Sequence, residues 1–97
     1  MVPDIRYVDP RALRAPPSRS SGADPFKLHQ QIAKYGASVA GMPPVWVYEC
    51  TDGSFLLVNG LTRATRIAKL APGTRIPVEV IGQLKRPRPD EPTVGDL

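Results

Sequence analysis

The placement of the prolines constrains this chain more than any other feature. Twelve of the 97 residues are proline, which lacks a backbone N–H, fixes φ and therefore interrupts helices and strand ladders. Pro16-Pro17 open a polar loop, Pro43-Pro44 precede an apolar run, and three more prolines fall in the last eleven residues. The chain must be built from short elements. Because 41% of its residues are apolar, one modest core in a single small domain is expected.

Residues 45–50 and 55–58 have the clearest strand composition. The first run is rich in β-branched and aromatic residues, which favour strands. Asp52-Gly53 lies between the two runs and is a favoured hairpin sequence, so we expect the runs to pair antiparallel. Residues 55–58 are apolar on both faces, which predicts a central strand.

Two further strands are expected, one near each end of the domain. Residues 5–8 stop at Asp9-Pro10, because the residue before a proline is pushed away from helical conformation. In residues 76–81 the apolar side chains alternate, as in a half-buried strand. Pro77 predicts that this run is an edge strand or that the proline stands at the start of a strand.

Two helices are predicted between these strands. Asp24-Pro25 is a helix start signal and Gly36 a stop signal, with Leu28, Ile32 and Tyr35 spaced as one buried stripe. The second helix covers residues 61–71, where apolar residues recur at helical spacing until Pro72-Gly73. The expected fold class is α+β: a small mixed sheet of three or four strands with two main helices, in residues 1–84. Residues 85–97 are rich in proline and charge, which predicts a disordered tail.

Composition narrows the function classes. The single cysteine, Cys50, excludes an internal disulfide, and His29 is the only histidine, so no cluster has the spacing of a metal site. The chain has no signal-peptide pattern and no run of about 20 apolar residues, so a cytoplasmic protein without a membrane span is expected. A net charge of +4 suits an anionic partner such as nucleic acid or a nucleotide, and equally an ordinary basic surface.

The segment 59–66, Asn-Gly-Leu-Thr-Arg-Ala-Thr-Arg, joins a predicted strand to a predicted helix. A helix start leaves about four backbone N–H groups unpaired and carries partial positive charge, so it attracts anions. Arginines in the first turns oppose that dipole, and a bound phosphate would reverse the penalty. Thr62 and Thr65 add hydroxyl groups on the same polar side. The predicted phosphate or nucleotide site consists of Gly60, Leu61, Thr62, Arg63 and Arg66, with Arg19 contributed by the basic loop at residues 15–23.

An alternative interpretation of the same segment stays open. Asn59 can serve simply as the helix N-cap, and the two arginines can form a solvated helix face. A Gly-x-x-Arg pattern is short and occurs in many contexts. It indicates an anion site here mainly because it lies between a predicted strand and a predicted helix.

The order of these features resembles the ParB/sulfiredoxin-like domain family. The resemblance covers residues 4–82 and runs through the basic loop, a helix ending in Lys-Tyr-Gly, Pro-Val-Trp-Val, the hairpin, and Val-Asn-Gly-Leu-Thr-Arg-Ala. Its sharpest motif is Gly60-x-x-Arg63, which matches the glycine and arginine that hold nucleotide phosphates in that family. Arg19 matches, more loosely, an arginine that precedes the long helix. The family includes nucleotide-binding partition proteins, sulfiredoxins, kinases and proteins described as nucleases.

Two positions depart from the family pattern. Sulfiredoxins carry their reactive cysteine directly after the motif glycine, where this chain has Leu61, which argues against sulfiredoxin chemistry. ParB proteins usually have glutamate and a second arginine at the positions of Leu61 and Thr62, which argues against nucleotide hydrolysis of the ParB kind.

The resemblance therefore implies a binding module for a nucleotide or nucleic acid, and a nucleoside triphosphate with Mg²⁺ is the cofactor class it suggests. Two alternatives stay open, a nuclease or phosphotransferase of the same fold and a protein-interaction module without nucleotide chemistry.

Overall fold

The computed structural model describes residues 2–19, 21–85 and 91–97. In these ranges the chain forms four strands, two α-helices and three short 3-10 turns. The α+β class, with a mixed sheet and two helices, is confirmed. The elements in chain order are β1 (Ile5–Val8), 3-10 turns at Pro10–Ala12 and Pro17–Arg19, α1 (Pro25–Tyr35), β2 (Val45–Cys50), β3 (Phe55–Asn59), α2 (Leu61–Leu70), β4 (Ile76–Leu84) and a 3-10 turn at Val94–Asp96.

The sheet has the strand order β1-β4-β2-β3. β1 and β4 pair antiparallel, β2 and β3 pair antiparallel, and β2 and β4 pair parallel. The predicted hairpin is present: Cys50 N donates to Ser54 O at 2.8 Å, and Gly53 adopts a positive φ of 83° in the turn. The parallel pair requires a crossover, and α2 lies within it.

The predicted positions of two strands need correction. β3 lies at an end of the four-strand order rather than in its centre. Its open side is bridged by Arg14, which donates its N–H to Phe55 O and accepts from Leu57 N, both at 2.9 Å, so Leu56 and Leu57 are buried on an outer strand. β4 lies inside the sheet, and Pro77 is its second residue, which agrees with the strand-start alternative.

The core lies between the sheet and α2. Leu61, Ala64 and Ile67 place one face of α2 against the sheet, and the exposed fraction of Ala64 and Ile67 is 0%. Burying a large aliphatic side chain contributes about 1.5–3 kcal/mol, so this face is the main support of the helix. The other members of the core cluster are Leu13, Val45, Val47, Leu57, Ile76, Val78 and Val94.

α1 begins and ends as predicted but is not buried as predicted. The Asp24 carboxylate accepts from Phe26 N at 2.9 Å, and Gly36 ends the helix at a φ of 57°. No residue of α1 is fully buried, however, and Tyr35 is 44% exposed. α1 packs against α2 at the periphery of the core, because α2 already covers the face of the sheet.

Residues 91–97 correct the prediction of a disordered tail. Ala15 N donates to Pro92 O and Val94 N donates to Leu13 O, both at 2.8 Å. Val94 is 2% exposed and belongs to the core cluster, because backbone pairing places one apolar side chain of a polar segment against Leu13. Residues 86–90 of the predicted tail lie outside the described residues. No helix in the described ranges is both long and apolar enough to cross a membrane.

Candidate functional site

The start of α2 opens into a cleft of about 450 Å³. The cleft has three walls. They are the 3-10 turn Pro17–Arg19, the first half of α1, and the turn that joins the end of β3 to the start of α2. The cleft is lined by Pro16, Ser18, Arg19, Ala23, Asp24, Lys27, Gln31, Val58, Asn59, Gly60, Leu61, Thr62 and Arg63.

Among the described residues, no side chain caps the first turn of α2. Gly60 is the N-cap residue, with φ 102° and ψ 20°, and the first helical hydrogen bond runs from Ala64 N to Gly60 O at 3.0 Å. The N–H groups of residues 61–63 therefore have no partner within the helix. The alternative interpretation named Asn59 as N-cap; this residue instead ends β3. The helix start keeps its partial positive charge free for an anion.

Gly60 is also tightly packed. A Cβ built at Gly60 would lie 2.5 Å from Val45 Cγ1 and 2.8 Å from Arg63 Nη2. The positive φ and the contact with Val45 together require glycine at this position. This packing accounts for the glycine without any ligand, and the Arg63 guanidinium lies beside the turn.

Arg63 is the cation of the cleft that is partly buried. Burial lowers the pKa of its guanidinium. Within residues 2–19, 21–85 and 91–97, this guanidinium makes no hydrogen bond and no ion pair. A partly desolvated charge without a counter-charge is unfavourable, and an anion in the cleft would relieve it.

Two exposed cations and one carboxylate complete the electrostatics of the cleft. Arg19 and Lys27 both line it, so three cationic side chains converge near the helix start. Asp24 is the only acidic residue among the lining residues, and its carboxylate accepts from backbone N–H groups at the start of α1. The cleft therefore has a net positive character suited to phosphate.

The structure brings five of the six predicted site residues together. Gly60, Leu61, Thr62, Arg63 and Arg19 line the same cleft.

Arg66 lies apart. It is 2% exposed and lines a smaller cavity, and its Nη1 donates to Gly36 O at 2.6 Å and to Ser38 O at 2.8 Å. Thr65 is not on a polar side either: it is 3% exposed, and its hydroxyl donates to Leu61 O.

Sequence reasoning missed Lys27 and Gln31 as site residues. They lie four residues apart on α1 and therefore share one helix face. That spacing was a usable signal, but nothing in the sequence indicated that this face would meet the start of α2.

The remaining candidate residues lie outside the cleft. Cys50 is buried, as expected for a small apolar residue, and His29 is exposed. Trp46 is 46% exposed on β2 and does not line the cleft. In the described part of the chain, no three His, Cys, Asp or Glu residues form a group that could hold a metal ion.

Compared with models of protein families, with curated proteins and with solved structures, the chain has no significant match.

Proposed function

We propose that this chain is a ParB/sulfiredoxin-like binding module that holds a phosphate-bearing ligand, a nucleotide or nucleic acid, in the cleft at the start of α2. One observation carries the proposal: the partly buried Arg63 guanidinium has no counter-charge among the described residues and lies beside a helix start that none of their side chains caps. The two features favour the same kind of ligand, because both supply N–H donors and positive charge to an anion.

Each cleft residue has a role in this proposal. The backbone N–H groups of residues 61–63 and the Thr62 hydroxyl donate to phosphate oxygens. The planar Arg63 guanidinium binds two oxygens of one phosphate, the geometry in which arginine is most effective. Arg19 and Lys27 stand at the solvent side of the cleft, where their charges attract the ligand and neutralise further phosphates.

Binding is favoured over a reaction. A nuclease or phosphotransferase would require a group that activates water or a hydroxyl. Asp24, the acidic residue that lines the cleft, already accepts hydrogen bonds from Phe26 N and Lys27 N. The enzyme and the protein-interaction module remain alternative predictions that no specific contact favours.

Titration with the four nucleoside triphosphates in the presence of Mg²⁺, and with short DNA, tests the proposal. Arg63→Gln should lower the affinity about tenfold or more, since a charge-assisted pair contributes about 1.5–3 kcal/mol. Arg75→Gln is the matched control, because Arg75 is exposed outside the cleft and the net charge changes equally. The proposal fails if the wild type binds none of these ligands at millimolar concentration, or if both variants lose affinity equally.

A further inference from the structure

A second cavity of about 150 Å³ adjoins the cleft. Gln31 and Arg63 line both spaces, so the two are neighbours across these side chains. The other residues around the second cavity come from the end of α1, the loop before β2 and the middle of α2. They are Tyr35, Ala40, Gly41, Met42, Pro43 and Arg66.

Arg66 brings a buried cation to this cavity, and its Cζ lies 5.3 Å from the centroid of the Tyr35 ring, within reach of a cation–π contact. The residue is 2% exposed, and the hydrogen bonds of its guanidinium go to two neutral carbonyls, Gly36 O and Ser38 O. Its Nε atom is buried and has no hydrogen-bond partner among the described residues. Within those residues no carboxylate lies within ion-pair distance of it. Burial lowers the pKa of Arg66, and the neighbouring Tyr35 opposes this shift only in part.

Gln31 brings a second unsatisfied group. Its Oε1 atom is buried and accepts no hydrogen bond from the described residues. A half-turn of the terminal amide exchanges this oxygen for an NH₂ donor. In that orientation Gln31, Arg63 and Arg66 all offer N–H donors around one small cavity.

Buried polar groups in proteins are nearly always paired, and a buried charge without a counter-charge is among the most unfavourable arrangements. Gln31 and Arg66 each hold one of these unpaired atoms, and both residues line the second cavity together with the partly buried Arg63, so an anionic hydrogen-bond acceptor bound in this space would be favoured. A cavity of this size holds about five water molecules by volume, so the space suits a compact group rather than a large ring system.

We infer that the second cavity binds an anionic oxygen group, a carboxylate or a phosphate, of the same ligand whose first phosphate occupies the cleft. The inference rests on the proposed function and makes it more specific: the ligand is a small molecule with two anionic groups held on either side of Arg63.

Side-chain and backbone N–H signals in ¹H–¹⁵N NMR report on the two sites separately. Titration of the full chain with inorganic phosphate should shift the Arg66 Nε–H and the Gln31 amide signals as well as the backbone signals of residues 61–63. Acetate distinguishes the two anion types: if the second cavity takes a carboxylate, acetate shifts the Arg66 signal and leaves residues 61–63 unchanged. If the second cavity binds phosphate and not carboxylate, phosphate shifts the Arg66 signal and acetate does not.

Ala40→Leu tests the position of the second site, because Ala40 is exposed and lines the cavity without contributing a bond to Arg66. The added side chain should reduce the Arg66 response at least fivefold and leave the response of residues 61–63 unchanged. Ala33→Leu is the matched control, since Ala33 is exposed on α1 and lines neither cavity.

The link between the sites is tested with two ligand series of increasing chain length, carboxyalkyl phosphates and alkyl bisphosphates, against ethyl phosphate. At least one length should bind tenfold more tightly than ethyl phosphate, because the second contact becomes intramolecular. The inference is overturned if phosphate and acetate both leave Arg66 Nε–H unchanged, if Ala40→Leu responds like the wild type, or if no chain length improves affinity. If only Arg66 responds to phosphate, the second cavity binds an anion, but the proposed function and the two-site ligand that rests on it both fall. If only residues 61–63 respond, the proposed function stands alone.

Discussion

Gly60 and Val45 approach each other so closely that a methyl group at Gly60 would lie 2.5 Å from Val45 Cγ1 and 2.7 Å from its Cβ. Val45 is fully buried in β2 and cannot move aside, because its neighbours fill the core. This contact fixes how near the start of α2 lies to the sheet. It therefore also fixes where the uncapped N–H groups of α2 meet the cleft.

Gly60→Ala should destabilise the domain by about 2–4 kcal/mol, the sum of the positive-φ penalty and overpacking against Val45. Gly73→Ala is the control, because Gly73 has a φ of 89° but nothing within 4 Å of an added Cβ. The free energy of unfolding of Gly73→Ala should fall only by the positive-φ penalty, about 1–2 kcal/mol. Unfolding in urea, followed by circular dichroism, measures both. Equal losses would show that the contact with Val45 does not matter.

Arg63→Met should stabilise the unliganded domain while removing its affinity for phosphate. The arginine is partly desolvated with no counter-charge in the described chain, and a hydrophobic side chain of similar length avoids that cost. The gain should be small, about 0.5–1 kcal/mol, since the side chain stays partly solvated.

The midpoint of thermal unfolding without ligand measures this effect, with the exposed Arg75→Met as control, for which a change within about 0.5 kcal/mol is expected. A lower midpoint for Arg63→Met would mean that Arg63 supports the fold rather than a ligand.

Arg66→Lys should destabilise the domain by about 1–3 kcal/mol although the charge is retained. A lysine cannot reproduce the guanidinium that donates to the carbonyls of Gly36 and Ser38, and each charge-assisted bond contributes about 1.5–3 kcal/mol. Hydrogen exchange should show the loss at the end of α1, where Gly36 N donates to Ile32 O. Uniform acceleration of exchange across the sheet, with no excess at Gly36, would contradict this local role.

The candidate site could be predicted only where its signal is local. Gly60 and Arg63 belong to a strand-to-helix turn, which short-range sequence identifies, although the sequence left open whether Asn59 caps that turn. Arg66 follows Arg63 by three residues, so helical spacing placed the two on neighbouring parts of one face. Its partner, Gly36 O, lies 30 residues away in sequence, and helical periodicity carries no information about such a contact.

The fold, like the site, could be predicted from the sequence only where the signal is local. Asp52-Gly53 predicts the hairpin because turn chemistry is local. The place of β3 in the sheet depends on Arg14, which pairs with its outer side from more than 40 residues away and makes an outer strand as buried as a central one. The docking of Val94 on Leu13 is equally non-local, and it occurs in a segment whose composition is typical of disorder.

Val94→Ala should destabilise the domain by about 2 kcal/mol, because it removes two methyl groups from a position that is 2% exposed. Val2→Ala makes the same chemical change at a position that is 89% exposed, and its effect should stay within about 0.5 kcal/mol. Urea unfolding of the two variants and the wild type provides the comparison. If Val94→Ala is as neutral as Val2→Ala, residues 91–97 do not belong to the folded domain in solution.

Acidification should weaken the domain through Asp9, whose carboxylate accepts from Arg11 N at 2.9 Å and pairs with the Arg11 guanidinium at 2.7 Å. The Arg11 side chain lowers the pKa of Asp9. A carboxyl group with a depressed pKa in the folded state contributes stability above its unfolded pKa of about 3.9, and this stability is lost as the pH falls through the folded value. Asp9→Asn keeps an oxygen that can cap Arg11 N but has no charge to lose.

The free energies of unfolding of wild type and Asp9→Asn should therefore differ most near neutral pH and converge as the pH falls through the lowered pKa of Asp9. Asp52 and Asp96 also have lowered pKa values, but they are present in both proteins, so the difference isolates Asp9. Urea unfolding at about pH 6 and about pH 2.5 measures it. A difference that stays constant between these two conditions would show that the ion pair with Arg11 contributes nothing beyond the capping hydrogen bond, which both side chains can form.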